Sequence, residues 1–163
     1  MTLSVQQRVL AEIVAHFRGV KAGLPANDPY EFQWERVHQR EFSSADEKLK
    51  SALSILFSDV TPLRLLHCYE NTMSVSVEFR IWGDGDEDAE QTMQRAFGEI
   101  VRRALELHGS HPLRPSGTIL TDIDISGMDP TIGDEAATIA SGFVYLTVKF
   151  RHAPLDPRVN GHG

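Results

Sequence analysis

MSVSVEFRIWGDGDEDAEQTMQRAFGEIVRRALELH, residues 73–108, carries two hydrophobic periods in succession, and the fold follows from them. Apolar side chains stand at Met73, Val75, Val77, Phe79 and Ile81 with polar ones between, the period of two that a strand with one buried face requires. Gly83-Asp84-Gly85 breaks the strand. From Asp86 the apolar positions are Ala89, Met93, Ala96, Phe97, Ile100, Val101, Ala104 and Leu105, which repeat at 3.6 residues and predict an amphipathic helix. Asp86, Glu87, Asp88 and Glu90 crowd its first turn. Arg102, Arg103 and His108 lie near its last, just before Gly109, so both ends suit the helix dipole.

Upstream, Ser4-x-x-Gln7 fits a capping box, and Val5, Val9, Leu10, Ile13, Val14 and Phe17 form one stripe ending at Gly19. A helix over about residues 4–18 is expected to pack on the sheet. Leu-Pro-Ala-Asn-Asp-Pro within 23–29 is loop chemistry, after which Tyr30, Phe32 and Trp34 alternate with polar residues as a short strand or extended arm. Ser44-x-x-Glu47 followed by Leu49, Ala52, Leu53 and Leu56 predicts a short helix to about Phe57. Leu63, Leu65, Leu66 and Tyr69 predict a strand that forms a hairpin with residues 73–82 through a turn at Glu70-Asn71-Thr72.

Downstream of the long helix, residues 108–117 are turn chemistry. Two more strands follow, one from Ile119, Thr121, Ile123 and Ile125, the other from Val144, Leu146, Val148 and Phe150. Their connection, Gly127 to Ala137, is longer than a hairpin needs. After His152 no apolar period remains, and residues 153–163 read as a flexible tail.

Two helices with one apolar stripe each, and strands with one apolar face each, are satisfied when both helices cover one face of a mostly antiparallel sheet of about four strands. That is an α+β two-layer sandwich, a single domain over 1–152. Strand parity puts Ser74, Ser76, Glu78 and Arg80 on the opposite face. Trp82, Leu120, Phe143 and Tyr145 fall on it as well, and an open face with such large apolar groups points to a partner.

Composition bounds the function. A chain of 163 residues can bury roughly 70% of the surface its unfolded form exposes and needs no staple. Its single cysteine, Cys68, excludes an internal disulfide, and the reading is of a reducing compartment. Residues 1–17 are interrupted by Gln6, Gln7, Arg8, Glu12 and His16, so they form neither a secretory segment nor a membrane span; a soluble, cytoplasmic product is expected. A formal charge of −7 disfavours broad capture of nucleic acid.

Reactive constellations each have a plainer alternative. Asp84, Asp86 and Asp88 occupy the first, third and fifth positions of a calcium loop, but Ala89 stands where glycine is required and Arg95 where the bidentate glutamate belongs. A helix N-terminal acid cluster accounts for them. His108 and His111 straddle a broken helix end with no third ligand nearby. Cys68, His67 and Glu70 could be written as nucleophile, base and orienter, yet adjacent strand residues point to opposite faces. Asp122 and Asp124 share a face and are either paired carboxylates or a solvated surface. No phosphate loop, nucleophile elbow or metal spacing is present, so neither enzyme activity nor a cofactor is expected.

The order helix, hairpin, acidic turn, long helix, strand, long loop, strand resembles the tail terminator proteins of long-tailed bacteriophages and of phage-like particles such as gene transfer agents. The likeness is carried by residues 61–70, 73–82, the acidic 83–90 run and 119–125 through 143–151, and covers roughly 60–152. Residues 24–57 are an insertion relative to that pattern. The resemblance implies a structural virion protein, made in the host cytoplasm and located in the tail neck. It implies a ring, usually a hexamer, that caps the tail tube, stops its polymerisation and offers a surface for head joining. Its partners would be other copies of itself, the tail tube protein and a head-completion or connector protein. DNA would pass through without sequence-specific binding, and no membrane is involved. Within that reading, Trp82, Phe143 and Tyr145 are expected at the contact between subunits. Asp129, Asp134 and Glu135, on a long acidic loop, are expected at the tube or the lumen. Rival readings are a head-completion or connector protein, a small α+β enzyme or ligand-binding domain using Asp122, Asp124 and a histidine, and a DNA-binding module using Arg95, Arg102 and Arg103.

Overall fold

The computed structural model describes residues 2–19, 34–82, 89–131, 139–154 and 156–161. The chain is an α+β protein, and among these residues it has two α-helices and a mixed six-stranded sheet. Helix α1, Val5–Arg18, begins as its sequence predicts: the Ser4 hydroxyl accepts from the Gln7 backbone N–H, and the Gln7 side chain accepts from the Ser4 N–H. Such a cap contributes about 1 kcal/mol. Helix α2 spans Ala89–Leu105. The six apolar residues of the α1 stripe are all buried, and Ala96, Ile100 and Ala104 of α2 join them over the sheet.

The strands are β1 (Arg36–His38), β2 (Ser51–Arg64), β3 (Tyr69–Trp82), β4 (Asp122–Thr131), β5 (Ile139–Ala153) and β6 (Asp156–Asn160). The sheet order is β1-β2-β3-β5-β4, with β6 on β5. Among the described residues only the β1–β2 pair is parallel. The inward row is Leu53 and Ile55 on β2, Met73 to Ile81 on β3, Val144, Leu146, Val148 and Phe150 on β5, and Ile123 on β4. Cross-strand pairs such as Val75 with Leu146 and Val77 with Val144 put these rows in one layer under the helices.

Several expectations are corrected. The helix expected over 44–57 is a 3-10 turn, Ser44–Lys48, followed by the first half of β2. Leu49, Ala52, Leu53 and Leu56 mimic a helical stripe because both faces of this strand are covered: Leu53 and Ile55 face the core while Ala52 and Ser54 lie buried on the other side. A strand buried on both faces loses its alternation. The turn of the first hairpin lies at 65–68 rather than 70–72, and β2 and β3 pair over nearly their full length. Among the described residues six strands stand where about four were expected, because β1 adds at the edge and the tail supplies β6; β2 absorbs the expected helix and so lengthens a strand already expected. Residues 156–160 pair with the end of β5, and the Arg8 guanidinium donates to the Arg158 carbonyl at 2.7 Å, tying β6 to α1. Leu120 is fully buried rather than on the open face, since the strand begins only at Asp122. Arg114 holds that approach by donating to the carbonyls of Leu107, Leu120 and Thr121. Of the expected aromatic arm, Trp34 is buried beside the sheet, while Tyr30 and Phe32 lie outside the described residues. The acidic run 84–88 lies outside them too.

Candidate interaction face

The sheet face away from the helices is built from the alternate residues of the same strands. On β3 and β5 these are the cross-strand pairs Ser74–Thr147, Ser76–Tyr145, Glu78–Phe143, Arg80–Ser141 and Trp82–Ile139. The parity read from the sequence holds for Trp82, Phe143 and Tyr145, which all lie on this face. Trp82 is 45% and Tyr145 37% exposed. The Phe143 and Tyr145 rings stack with centroids 6.0 Å apart and planes 4° from parallel. Gly127 sits opposite Tyr145 on β4, and a β-carbon there would lie 3.5 Å from the Tyr145 ring, so the ring leans into the space that glycine leaves. Asp129 is exposed on β4 opposite Phe143. Asp134 and Glu135 lie outside the described residues, so the acidic loop is represented by Asp129 alone.

One end of this face is covered by the chain itself. The Ser54 hydroxyl donates to the Arg40 carbonyl at 2.6 Å, and the Arg80 guanidinium sits 4.5 Å over the Phe42 ring. Asp46 organises the segment: it is buried, accepts from the Ser43 backbone N–H and hydroxyl, pairs with Arg40 at 2.8 Å, and lies 2.9 Å from His38 Nε2. The Arg40 hydrogen bonds and the Ser43 N–H hold its carboxyl well below the usual range. Glu78 goes the other way, pushed up by burial against the partial relief of Arg80. Between this cover and the strand ends is a shallow cavity of about 590 Å³ lined by Asp46, Lys48, Leu49, Arg80, Trp82 and Ile139. Local pattern announces little of this cluster, because its capping residue is Ser43 paired with Asp46, one position before the box the spacing suggests.

Among the described residues, the constellations around Cys68, His108–His111 and Asp122–Asp124 do not assemble. Cys68 is buried in the hairpin turn, His67 is exposed, and Glu70 is bound across the strands by Arg151 at 3.0 Å. His108 Nδ1 lies 2.9 Å from the Ser110 hydroxyl, while His111 Nδ1 accepts from the Leu113 N–H, so each serves its own turn. Asp122 and Asp124 share the open face beside Lys149 in a hollow of about 260 Å³. Asp122 is engaged structurally: burial disfavours its charge, but the N–H groups of Gly109 and Ile123, with His108 and Lys149 nearby, hold its carboxyl below the ordinary range. An ionised acceptor already taking two backbone donors is poorly suited to donate a proton. Arg95 and Arg102 are exposed on α2, whereas Arg103 turns inward to the His16 carbonyl and Glu106, which breaks up the basic stripe. Among the described residues no group of three or more His, Cys, Asp or Glu side chains could hold a metal, and no helix is long and apolar enough to cross a membrane. No family model matches the sequence, and no curated protein matches it.

Proposed function

We propose that this chain is a tail terminator subunit of a long-tailed phage or phage-like particle, assembling into a ring, hexameric by resemblance, that caps the tail tube and stops its growth. The single observation that carries the reading is the second sheet face: among the described residues it is uncovered except at one end, and it presents Trp82, Phe143 and Tyr145. A solvent-facing sheet does not need that apolar area, and a ring of identical subunits does. The element order, with both helices on one side of an antiparallel hairpin and the later strand pair, supports the same reading. An acidic chain suits a conduit through which DNA slides, because a basic lumen would hold phosphates through many counterion-releasing contacts. In this reading Asp129, exposed on β4, is the described acid assigned to the lumen or to contact with the tube.

Electron microscopy of particles made without the gene tests the role. Overlong tails detached from heads are expected. Tails of normal length beside free heads would transfer the chain to the head side of the junction, and intact particles would remove it from the neck altogether. For the contact itself, Phe143→Asp sets a carboxylate against Glu78 and beside Tyr145 on the exposed face. Sedimentation should find a folded monomer; an assembly of unchanged size would clear this face of any part in the contact.

A further inference from the structure

We propose that copies of this chain join sheet edge to sheet edge, the free edge of β2 in one copy pairing with the free edge of β4 in the next to make a continuous antiparallel sheet. The inference rests on the ring reading above and names the surfaces that close the ring.

The first observation is where the backbone pairing stops. Strand β1 covers β2 only from Ala52 to Ser54, so among the described residues no strand pairs with the outer edge of β2 from Ile55 to Arg64. At the other end of the sheet, among the described residues, β4 pairs with β5 alone. Edges without a strand partner are templates for another strand; on β4 the Ile123 and Ile125 N–H groups donate to the Asp122 and Asp124 carboxylates at 3.0 and 2.8 Å, local bonds that an added strand would replace. The path β2-β3-β5-β4 holds four strands, each antiparallel to the last. The direction therefore alternates correctly across the joint when copies are related by rotation about an axis along the strands, and two different edges meet head to tail.

The side chains fit the same joint. Phe57 stands opposite Val75 and Met128 opposite Val144, both in the row that faces the helices. They are nevertheless 48% and 55% exposed, because the sheet ends at each of them. Joining the edges makes each an interior position of one continuous apolar row. On the other face, Gly127 places no side chain between the β4 edge and Tyr145, so Leu56 or Leu63 of an added β2 strand can reach the Phe143–Tyr145 pair. The edge contact is thus continuous with the aromatic patch. Prolines bound the ladder at both ends: Pro62 lies toward the hairpin turn and Pro130 toward the opposite end of the sheet, and neither can donate. Between them run about seven residues of edge on each strand, and prolines so placed fix the register while discouraging indiscriminate strand addition.

The test uses the head-to-tail geometry. Phe57→Lys and Met128→Lys each put an inward-facing charge on one edge and leave the other intact, at half-exposed positions where a lysine stem can lie along the surface. Light scattering on the full chain should find wild type assembled and each variant a monomer with an unchanged circular dichroism spectrum. Mixed in equal amounts, the two variants should form a dimer and nothing larger, since only one pair of intact edges remains. Glutamine at the same positions is the second pair, should lysine disturb the fold. Wild-type-sized assembly by either variant, or a mixture that stays monomeric, overturns the edge contact. If both edge variants assemble while Phe143→Asp does not, the ring reading stands and the edge inference falls. A wild type monomeric at high concentration removes both.

Discussion

Gly142→Val is expected to abolish folding, and Gly142→Ala to cost about 1–3 kcal/mol, the usual range for overpacking a tight interior. Gly142 lies on the helix-facing side of β5, opposite Phe79 on one neighbour and Pro130 on the other. A β-carbon there would be 2.9 Å from Phe97 Cζ, 3.0 Å from the Asp129 carbonyl oxygen and 3.1 Å from Phe79 Cε1. Two of these atoms belong to an edge-to-face aromatic pair, 5.1 Å between centroids, that joins α2 to β3. The third is backbone in the neighbouring strand and cannot rotate away. Alanine therefore forces a shift of a few tenths of an ångström at the helix–sheet junction. Valine adds two more methyl groups where even the first does not fit, and a domain with roughly 5–15 kcal/mol of total stability has little to absorb it. Thermal melts give the check: alanine should lower Tm by about 2–4 °C for each kcal/mol lost. Phe97→Leu should restore part of the loss in the double variant, because the two side chains compete for one volume. An alanine variant that melts with wild type would mean that α2 stands further from the sheet.

Much of this arrangement was legible in advance. The strand at 73–82 and both helices follow from uninterrupted periods, and strand parity alone put Trp82, Phe143 and Tyr145 on the face opposite the helices. The failures have physical causes. Residues 49–56 lost their strand signature because the 38–48 segment buries the face that would otherwise be polar; Ser54 is buried through its bond to Arg40, a partner fourteen residues away that no local pattern announces. Strand β6 carries no apolar period because it is held by a short backbone pairing to β5 and by Arg8 rather than by a buried row. Leu120 looked like an outward residue because alternation was extended two residues before the strand begins. The rim positions are the least legible of all. In sequence Phe57 falls at the end of a predicted helix and Met128 in a predicted connection, and only the strand order shows that each stands at the rim of the sheet.

The second large effect concerns the joint between the helices and its response to pH. His16, 11% exposed at the side chain, lies between α1 and α2 with Nε2 3.0 Å from the Arg103 carbonyl and 3.1 Å from the Glu106 carboxylate. With acceptors on both sides, Nε2 carries the proton of the neutral ring. Burial, and then the Arg103 guanidinium, push the imidazole down to about 4, opposed by the Arg103 carbonyl. The unfolded chain, with an ordinary histidine near 6.5, takes up the proton first. Stability from this group is therefore fully present above about 6.5 and is lost at about 1.4 kcal/mol per pH unit as pH falls toward 4. Arg103 does more than repel that proton. It donates to the His16 carbonyl at the end of α1 and to Glu106, which is only 8% exposed, at 2.9 Å. Arg103→Met keeps the stem and removes the charge, leaving the Glu106 carboxylate buried without its guanidinium. A cost of about 3 kcal/mol at pH 8 is expected, the scale for breaking a buried ion pair from one side. The same change reverses the field on His16, because the carboxylate at 3.1 Å becomes its nearest charge and favours the imidazolium. Urea titrations at pH 8, 6.5 and 5 should find the variant far weaker than wild type at pH 8 and losing less of its remaining stability on the way to pH 5. Parallel pH profiles for the two proteins would mean that Arg103 does not set the histidine's protonation, whatever its cost to the fold.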